Sequence, residues 1–278
     1  MKIAILGDTH FGAREGKEIF HQHFQRFYDD VFFPTLVKEG ITTVLQLGDL
    51  FDRRKYIDYY SLKRSKEYFF DKAKELNIQV HALLGNHDIA LRNSLEINSP
   101  ELLLKEYDNF HPITTPTELS FPGTKVLMVP WICSDNAKDC FKAINETDAD
   151  VVCGHFEISG FAMYRGVESH DGIDPKTFER FDYTFSGHYH HRSSRGNIYY
   201  VGTPYEITAM DYADPRGFHI FDTEKKKIKF VENKHTIFEK VIFNDNTDPK
   251  EFDYSKLKNK FVKIVVESKN DFYKFDVF

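Results

Sequence analysis

Three cysteines in 278 residues, with no CxxC spacing among them, are too few and too odd in number to staple a fold. Cys133, Cys140 and Cys153 thus point to neither a disulfide framework nor a cysteine-built zinc site. No apolar run reaches the roughly 18 residues that a membrane span needs, and MKIAILGDTHFG enters a strand and a motif instead of a signal peptide. The expectation is a protein of a reducing cytoplasm with no membrane contact. There is no internal repeat and no low-complexity tract. An excess of positive charge is also missing: the formal net charge is −6, which on its face argues against a nucleic-acid partner. Divalent cations held at a site would weaken that exclusion, because they attract phosphate locally whatever the net charge. Arg53, Arg54 and Lys55 form the best basic cluster for a phosphate backbone, and read equally well as ordinary charges on a solvated loop.

What is abundant is phenylalanine, 27 residues within an aromatic content of 15%, which predicts a Phe-rich core. Strand and helix patterns alternate through the first two-thirds. KIAILGD reads as a buried strand, Lys17 to Glu39 as a helix closed by Gly40, TTVLQLGD as a strand and Tyr59 to Leu76 as a helix. NIQVHALLGNHD, TKVLMVPW, ADVVCGH and FDYTFSGH supply four more strands, with a helix over Asp135 to Glu146. This βαβ alternation predicts an α/β fold with a mostly parallel sheet covered by helices on both faces. From about Asn197 short β runs take over (NIYYVG, RGFHIFD, KKIKFVE, FEKVIF), predicted to extend or pair a second sheet. Asn244 to Pro249 reads as a linker into a small second domain with a short helix and the strand FVKIVVE.

Five segments share one layout, an apolar run, then glycine, then a metal-ligand type: GDTH, GDLFD, GNHD, GH and GHYH. In open α/β sheets the chemistry gathers at the carboxyl ends of strands, so five such ends would converge on one crevice. Two divalent ions sharing a bridging carboxylate and a bridging hydroxide can activate a nucleophile and neutralise phosphate charge, and they need mixed oxygen and imidazole donors. Asp8 and His10 face one way on extended chain, Asp49 suits the bridge, Asn86 adds a neutral oxygen, and His155, His188 and His190 complete the shells. His87 is left over to protonate the leaving oxygen, with Asp88 to orient it. A lone GD or GH is commonly a turn; five in order are not. The other histidines read as structural or surface residues, with His170 and His191 the first candidates for an exception.

The motif set resembles that of the calcineurin-like metallophosphoesterases, DxH, GDxx(D/H), GNH(D/E), GH and GHxH, in complete order over about residues 1–205. GDLFDRR and GNHD are closer to the DNA-repair nucleases of the SbcD class than to the serine/threonine phosphatases. VPWICSDN, GFAMYRGVESHDGIDP and VGTPYEITAMDYADPRGFHIFDTE look like the recombination nuclease branch of T-even phages. The resemblance implies a metallophosphoesterase β-sandwich with βαβ units and flanking helices, over residues 1–236. It places the start of a small α+β cap, a DNA-binding domain, at residues 237–278, the chain stopping short of the segment that docks on the ATPase. It implies a Mn-dependent nuclease, 3′–5′ on double-stranded ends and endonucleolytic on single strands, working as a homodimer with an SbcC-like coiled-coil ABC ATPase in DNA recombination and repair. One metal would be held by Asp8, His10, Asp49 and His190, the other by Asp49, Asn86, His155 and His188, with His87 as catalytic histidine. Asp52 stands where the archaeal and eukaryotic branch has a second active-site histidine, as it does in bacterial and phage members. The resemblance also places the dimer contact on helices over about Tyr59 to Leu76 and Ser94 to Tyr107. Competing readings are a small-molecule phosphodiesterase on the same metal core and a DNA-end-binding scaffold with a vestigial site, the intact donor set weighing against the second.

Overall fold

Two six-stranded sheets stack face to face with helices on both outer sides, in a computed structural model that describes residues 1–164 and 166–278. The first half runs β1 (Lys2–Leu6), α1 (Glu18–Phe27), a π-helical stretch over Tyr28–Phe32, α2 (Phe33–Glu39) and β2 (Thr43–Gln46). It continues with α3 (Tyr59–Ser65), a second π-helical stretch over Lys66–Phe70, α4 (Asp71–Glu75), β3 (Gln79–Leu83), the hairpin β4 (Ile89–Leu91) and β5 (Ser94–Asn98), α5 (Ser99–Leu103) and β6 (Phe110–Ile113). The second half comprises β7 (Thr117–Phe121), β8 (Thr124–Val129), α6 (Ala137–Glu146), β9 (Val151–Gly154), the small hairpin β10 (Ala162–Tyr164) and β11 (Val167–Glu168), β12 (Tyr183–Ser186), β13 (Ser193–Arg195) and β14 (Ile198–Tyr200). Last come β15 (Arg216–Asp222), β16 (Lys227–Asn233), β17 (Phe238–Phe243), β18 (Phe261–Val266) and α7 (Phe272–Val277).

The first sheet has the order β16-β15-β1-β2-β3-β6, parallel from β1 to β6, with β15 and β16 antiparallel beside them. The second has the order β13-β14-β12-β9-β8-β7, parallel at its centre and antiparallel at both edges. Side chains alternate along each strand, so Ile3 and Ile5 face the opposite sheet while Ala4 and Leu6 face the helices. Ile3, Ile5, Leu45 and Leu83 meet Val126, Met128, Val151 and Phe185 between the sheets. The outer face of the first sheet carries the aromatic core, Phe24, Phe27, Phe32, Phe69 and Tyr205 among them, and the Phe24 and Tyr205 rings stack at 4.0 Å. Cys140 and Ile144 of α6 cover the second sheet.

The single, mostly parallel sheet expected from the βαβ alternation is therefore two sheets, in agreement with the sandwich implied by the resemblance. An apolar run shows that a strand is buried on both faces, and says nothing of whether a helix or a second sheet buries it. Of the late β runs, only NIYYVG joins the second sheet; RGFHIFD and KKIKFVE return to the first. The helix expected from Ser94 to Tyr107 is also corrected. Ser94–Asn98 alternates at period two and pairs with β4, and the helix that follows is only Ser99–Leu103, capped by the Asn98 side chain accepting from the Glu101 N–H. Gly40 closes α2 as expected, in the left-handed conformation (φ 67°). Asn244–Pro249 lies between β17 and β18, which pair in parallel, and so falls inside the small C-terminal unit instead of ahead of it. Phe261 of that unit stacks on Phe20 of α1 at 5.4 Å.

Candidate metal centre

β1, β2 and β3 are parallel neighbours in one sheet, as β9 and β12 are in the other, and the five motifs are the loops leaving their carboxyl ends. Asp8 and His10 follow β1, Asp49 follows β2, Asn86 and His87 follow β3, His155 follows β9, and His188 and His190 follow β12. The glycines of the motifs have steric reasons. A Cβ on Gly85 would sit 2.2 Å from Asp49 Oδ1, and one on Gly187 would sit 2.4 Å from Asp8 Oδ1. His10, Asp49 and His188 hold φ values of 44°, 50° and 83°, a region non-glycine residues rarely occupy. Such outliers persist where surrounding structure imposes them, and they concentrate at functional sites.

The seven expected donors converge, in groups whose donor atoms lie within 4.8 Å of one another: Asp8, His10 and His190; Asp49, His155 and His188; and a third formed by His10, Asp49 and His87. Asn86 joins the second group, its Oδ1 lying 3.1 Å from His155 Nε2 and 3.0 Å from His188 Nδ1. Asp49 reaches both sides, 3.7 Å to His10 Nε2 and 3.4 Å to His155 Nε2. Asp8 is fully buried and its carboxylate accepts the His188 N–H at 3.0 and 3.1 Å.

The electrostatics fit cations. Burial lowers His188 to about 3 and His190 to about 4, and burial beside His190 lowers His10 well below its ordinary value. At neutral pH these three rings are uncharged and present lone pairs. His10 Nε2 and His190 Nε2 face each other at 3.0 Å, and His10 Nδ1 has no hydrogen-bond partner among the described residues. The His155 Nδ1 lies 2.7 Å from the Leu47 carbonyl, which can only accept, so Nδ1 carries the hydrogen and Nε2 faces Asp49 and Asn86. Burial works against a charged His155, but Asp49 and Asp8 raise it to about 9. Burial pushes Asp8 up to about 8, whereas Asp49, buried too, is held well below the usual carboxylate range by His155. Buried oxygen and nitrogen lone pairs aimed at one another are expensive unless positive charge lies between them. This donor set is the mixed carboxylate, amide and imidazole type that suits Mn, Fe, Co or Zn.

His87 stands beside the donors, its ring 5.1 Å from that of His10. Its N–H donates to Asp49 Oδ1 at 2.7 Å, and its Nδ1 donates to the Asp52 carbonyl at 2.5 Å, leaving Nε2 as the free nitrogen. The expectation that Asp88 orients His87 is corrected here. The buried Asp88 carboxylate accepts the Gly85 N–H at 2.8 Å, the Leu50 N–H at 3.0 Å and the Phe51 N–H at 3.2 Å, and so ties the second motif loop to the third. Main-chain amides, unsatisfied where the loops leave their strands, claim it first. The Asp52 carboxylate lies 3.6 Å from His10 Nδ1, and burial raises its pKa. Arg53 and Lys55 are exposed and Arg54 half-buried; the Arg53 guanidinium lies over the Tyr56 ring at 5.1 Å.

The family model for calcineurin-like phosphoesterases matches residues 1–192. The chain belongs to the calcineurin-like phosphoesterase family. Among curated relatives of this phosphoesterase, exonuclease subunit 1 of Enterobacteria phage T4 is 33% identical over 267 residues, covering 96% of this chain and 77% of the relative. The SbcD component of the nuclease SbcCD of Staphylococcus epidermidis is 24% identical over 259 residues, covering 82% of this chain and 67% of the relative. A solved archaeal phosphodiesterase aligns over 84% of this chain and 100% of its own, with 15% identity and a TM-score of 0.43. The resemblance read from the motifs is thus borne out, and this phosphoesterase is a metal-dependent enzyme of phosphate-ester hydrolysis. No helix among the described residues is long and apolar enough to cross a membrane.

The motif reading missed two groups of residues around the centre. Arg216, 4% exposed at the head of β15, donates to the His190 carbonyl and to Thr203 Oγ1 and is paired with Asp211 and Asp214, each at 2.7 Å. Asp214 also accepts from His191 Nδ1 at 2.9 Å, which gives that histidine a supporting place; His170 is exposed. Trp131 sets its indole 5.9 Å from the His155 ring and 5.2 Å from the His188 ring. ADPRG and VPW were on view in the sequence, but nothing local ties either to ligands some 25 residues away.

Proposed function

We propose that this chain is a DNA nuclease, the nuclease subunit of a recombination and repair assembly, which hydrolyses phosphodiesters at a two-metal centre. The observation that carries the reading is the convergence of Asp8, His10, Asp49 and His190 on one side and Asp49, Asn86, His155 and His188 on the other, with Asp49 common to both. Those residues would hold two divalent cations, Mn(2+) first among them. When bound, the cations would supply a nucleophile at neutral pH and neutralise phosphate charge. The relatives' names, an exonuclease subunit and a component of a two-part nuclease, support DNA as substrate and a partner of the SbcC-like ATPase type. The resemblance adds 3′–5′ digestion of duplex ends and cleavage of single strands.

In this reading His87 is the catalytic proton donor. Its Nδ1–H is committed to the Asp52 carbonyl, so a protonated ring offers its second proton at Nε2 to the departing sugar oxygen. Asp52 is then a positioning residue through its main chain, and Asp88 sets the distance between the two loops. Arg53, Arg54 and Lys55, next to Asp52, would steady the DNA backbone. Among the described residues, exposed Tyr56, Tyr59, Ile97 and Leu102 line a groove of about 290 Å³ beside that basic cluster, and this apolar face supports a homodimer contact.

The test is cleavage of end-labelled linear duplex DNA in manganese, magnesium or chelator. Manganese-dependent digestion that disappears in Asp8→Ala is the expected outcome. Hydrolysis of a generic bis-aryl phosphate without attack on DNA, alone or with the ATPase, would return the chain to small-molecule phosphodiester chemistry. His87→Ser is expected to lower cleavage by about 10²–10⁴-fold at unchanged manganese stoichiometry. Near-normal cutting by that variant would remove His87 from the chemistry.

A further inference from the structure

Beside the metal centre, and sharing His155 with it, lies a cavity of about 310 Å³ whose other walls hold none of the seven donors. Its walls are the Trp131 indole, Ile132, Phe141, Phe156 and Ile173, with His155 at one side and the half-buried Glu157 on its lining. The Trp131 main chain is held at both ends: its N–H donates to the Leu84 carbonyl at 2.7 Å, and its carbonyl accepts from Asn136 Nδ2 at 2.9 Å. The same indole contacts two of the proposed ligands, His155 and His188. A phosphate held by the centre would therefore lie next to this aromatic wall, because the indole packs on two of the ligand rings.

The chemistry of the slot is selective. Its volume is at the small end for ligand sites, enough for one flat ring system. An indole face stacks any base, a contact of about 1–3 kcal/mol. A carboxylate is an acceptor only, so Glu157 favours ring systems that present N–H groups on an edge. Guanine presents two neighbouring donors, N1–H and the exocyclic amine, and thymine presents one. We propose that this cavity receives the base of the nucleotide whose phosphate lies on the metal centre, stacked on Trp131 and held by Glu157, with guanine bound tightest. The inference rests on the nuclease reading for its substrate class, but makes its own prediction about binding.

Trp131 is the only tryptophan of the chain, so its fluorescence reports occupancy of this cavity directly. The full chain, in magnesium to avoid paramagnetic quenching, is titrated with dGMP, dTMP and deoxyribose 5-phosphate. Saturable quenching by dGMP, weaker binding of dTMP and none by deoxyribose 5-phosphate are expected. Glu157→Gln should weaken dGMP about tenfold and erase its advantage over dTMP. Trp131→Phe, which keeps a ring against His155 and His188, should raise KM for DNA more than it lowers kcat, a split that a merely structural role for the indole would not produce. Equal affinity for deoxyribose 5-phosphate and dGMP, or no response to any nucleotide, overturns the proposal. DNA cutting without dGMP binding would sink the base pocket alone; dGMP binding without DNA cutting, alone or with the ATPase, would sink the nuclease reading alone.

Discussion

Asp8 depends on a neighbour that has no side chain. A methyl at Gly187 would push into Asp8 Oδ1 and the Leu47 carbonyl, the latter 2.5 Å from where a Cβ would stand. The same Cβ would stand 2.9 Å from His155 Nδ1, so Gly187→Ala should lower manganese affinity on both sides, by an order of magnitude or more where Asp8 is displaced. Isothermal titration would show weakened binding at both sites; two sites of unchanged affinity would contradict the steric argument. Arg216 supports the same loop from behind, through the His190 carbonyl. Arg216→Met leaves Asp211 and Asp214 buried without their cation, a loss of about 3–5 kcal/mol where one partner of a buried pair is removed. A lowered Tm with weakened metal binding is expected, and unchanged metal binding would limit Arg216 to a structural part. The ligands were legible in the sequence because glycine and ligand are adjacent in the chain. Arg216 and Trp131 were not, because what gives them meaning is the return of β15 beside β1 and the packing of the β8 loop against His155.

At the scale of elements, strands were easier to read than the layers they form. KIAIL, TVLQ and VVCG each appear as apolar runs closed by a turn, and each is a central strand. The aromatic spacing from Lys17 to Glu39 gave the helical segment, but not the π-helical stretch at Tyr28–Phe32 that rotates Tyr28 and Phe32 into the core. The same segment carries a cost. His23 of α1 is fully buried, with neither ring nitrogen hydrogen-bonded among the described residues, and burial, with Arg26 and His235 nearby, lowers it to about 3. The unfolded chain takes up a proton near pH 6.5 that the folded chain refuses until about pH 3. Stability therefore falls as pH drops through that window, by roughly 1.4 kcal/mol per unit at full effect. His219, lowered to about 4, acts in the same direction. His23→Leu should flatten the acid limb of a Tm-against-pH curve, with a gain already present at pH 5 that grows toward pH 3, and little change at pH 8. An equal gain at both pH values would mean that the unsatisfied nitrogens, and not the titration, set the penalty.

For the whole molecule the question is how a chain of net charge −6 would hold a polyanion, as the proposed nuclease must. A broad basic face would give a salt dependence of binding with a slope of about −0.9 per neutralised phosphate, typically six to ten of them. Here the basic residues offered near the centre are Arg53, Arg54 and Lys55, so the proposed contact count from side chains is small. Binding of a labelled duplex by a catalytically silent His87→Ser variant should then show a slope no steeper than about −3 in log–log form. Lys55→Ala should reduce that slope by about one, and chelator should abolish binding outright, because on this reading the cations supply most of the local positive potential. The proposed dimer face bears on the same measurement. Tyr59 is 91% exposed and Leu102 61%, on a surface continuous with the basic cluster, so a dimer would set two clusters near one another and double the slope on long duplexes relative to a short one. Tyr59→Glu, which puts a charge into that apolar face, should yield monomers in sedimentation and equal slopes on both lengths. A steep slope that survives chelation and the loss of Lys55 would instead place the DNA on a surface remote from the centre, and the seven donors would then be acting on some smaller phosphodiester.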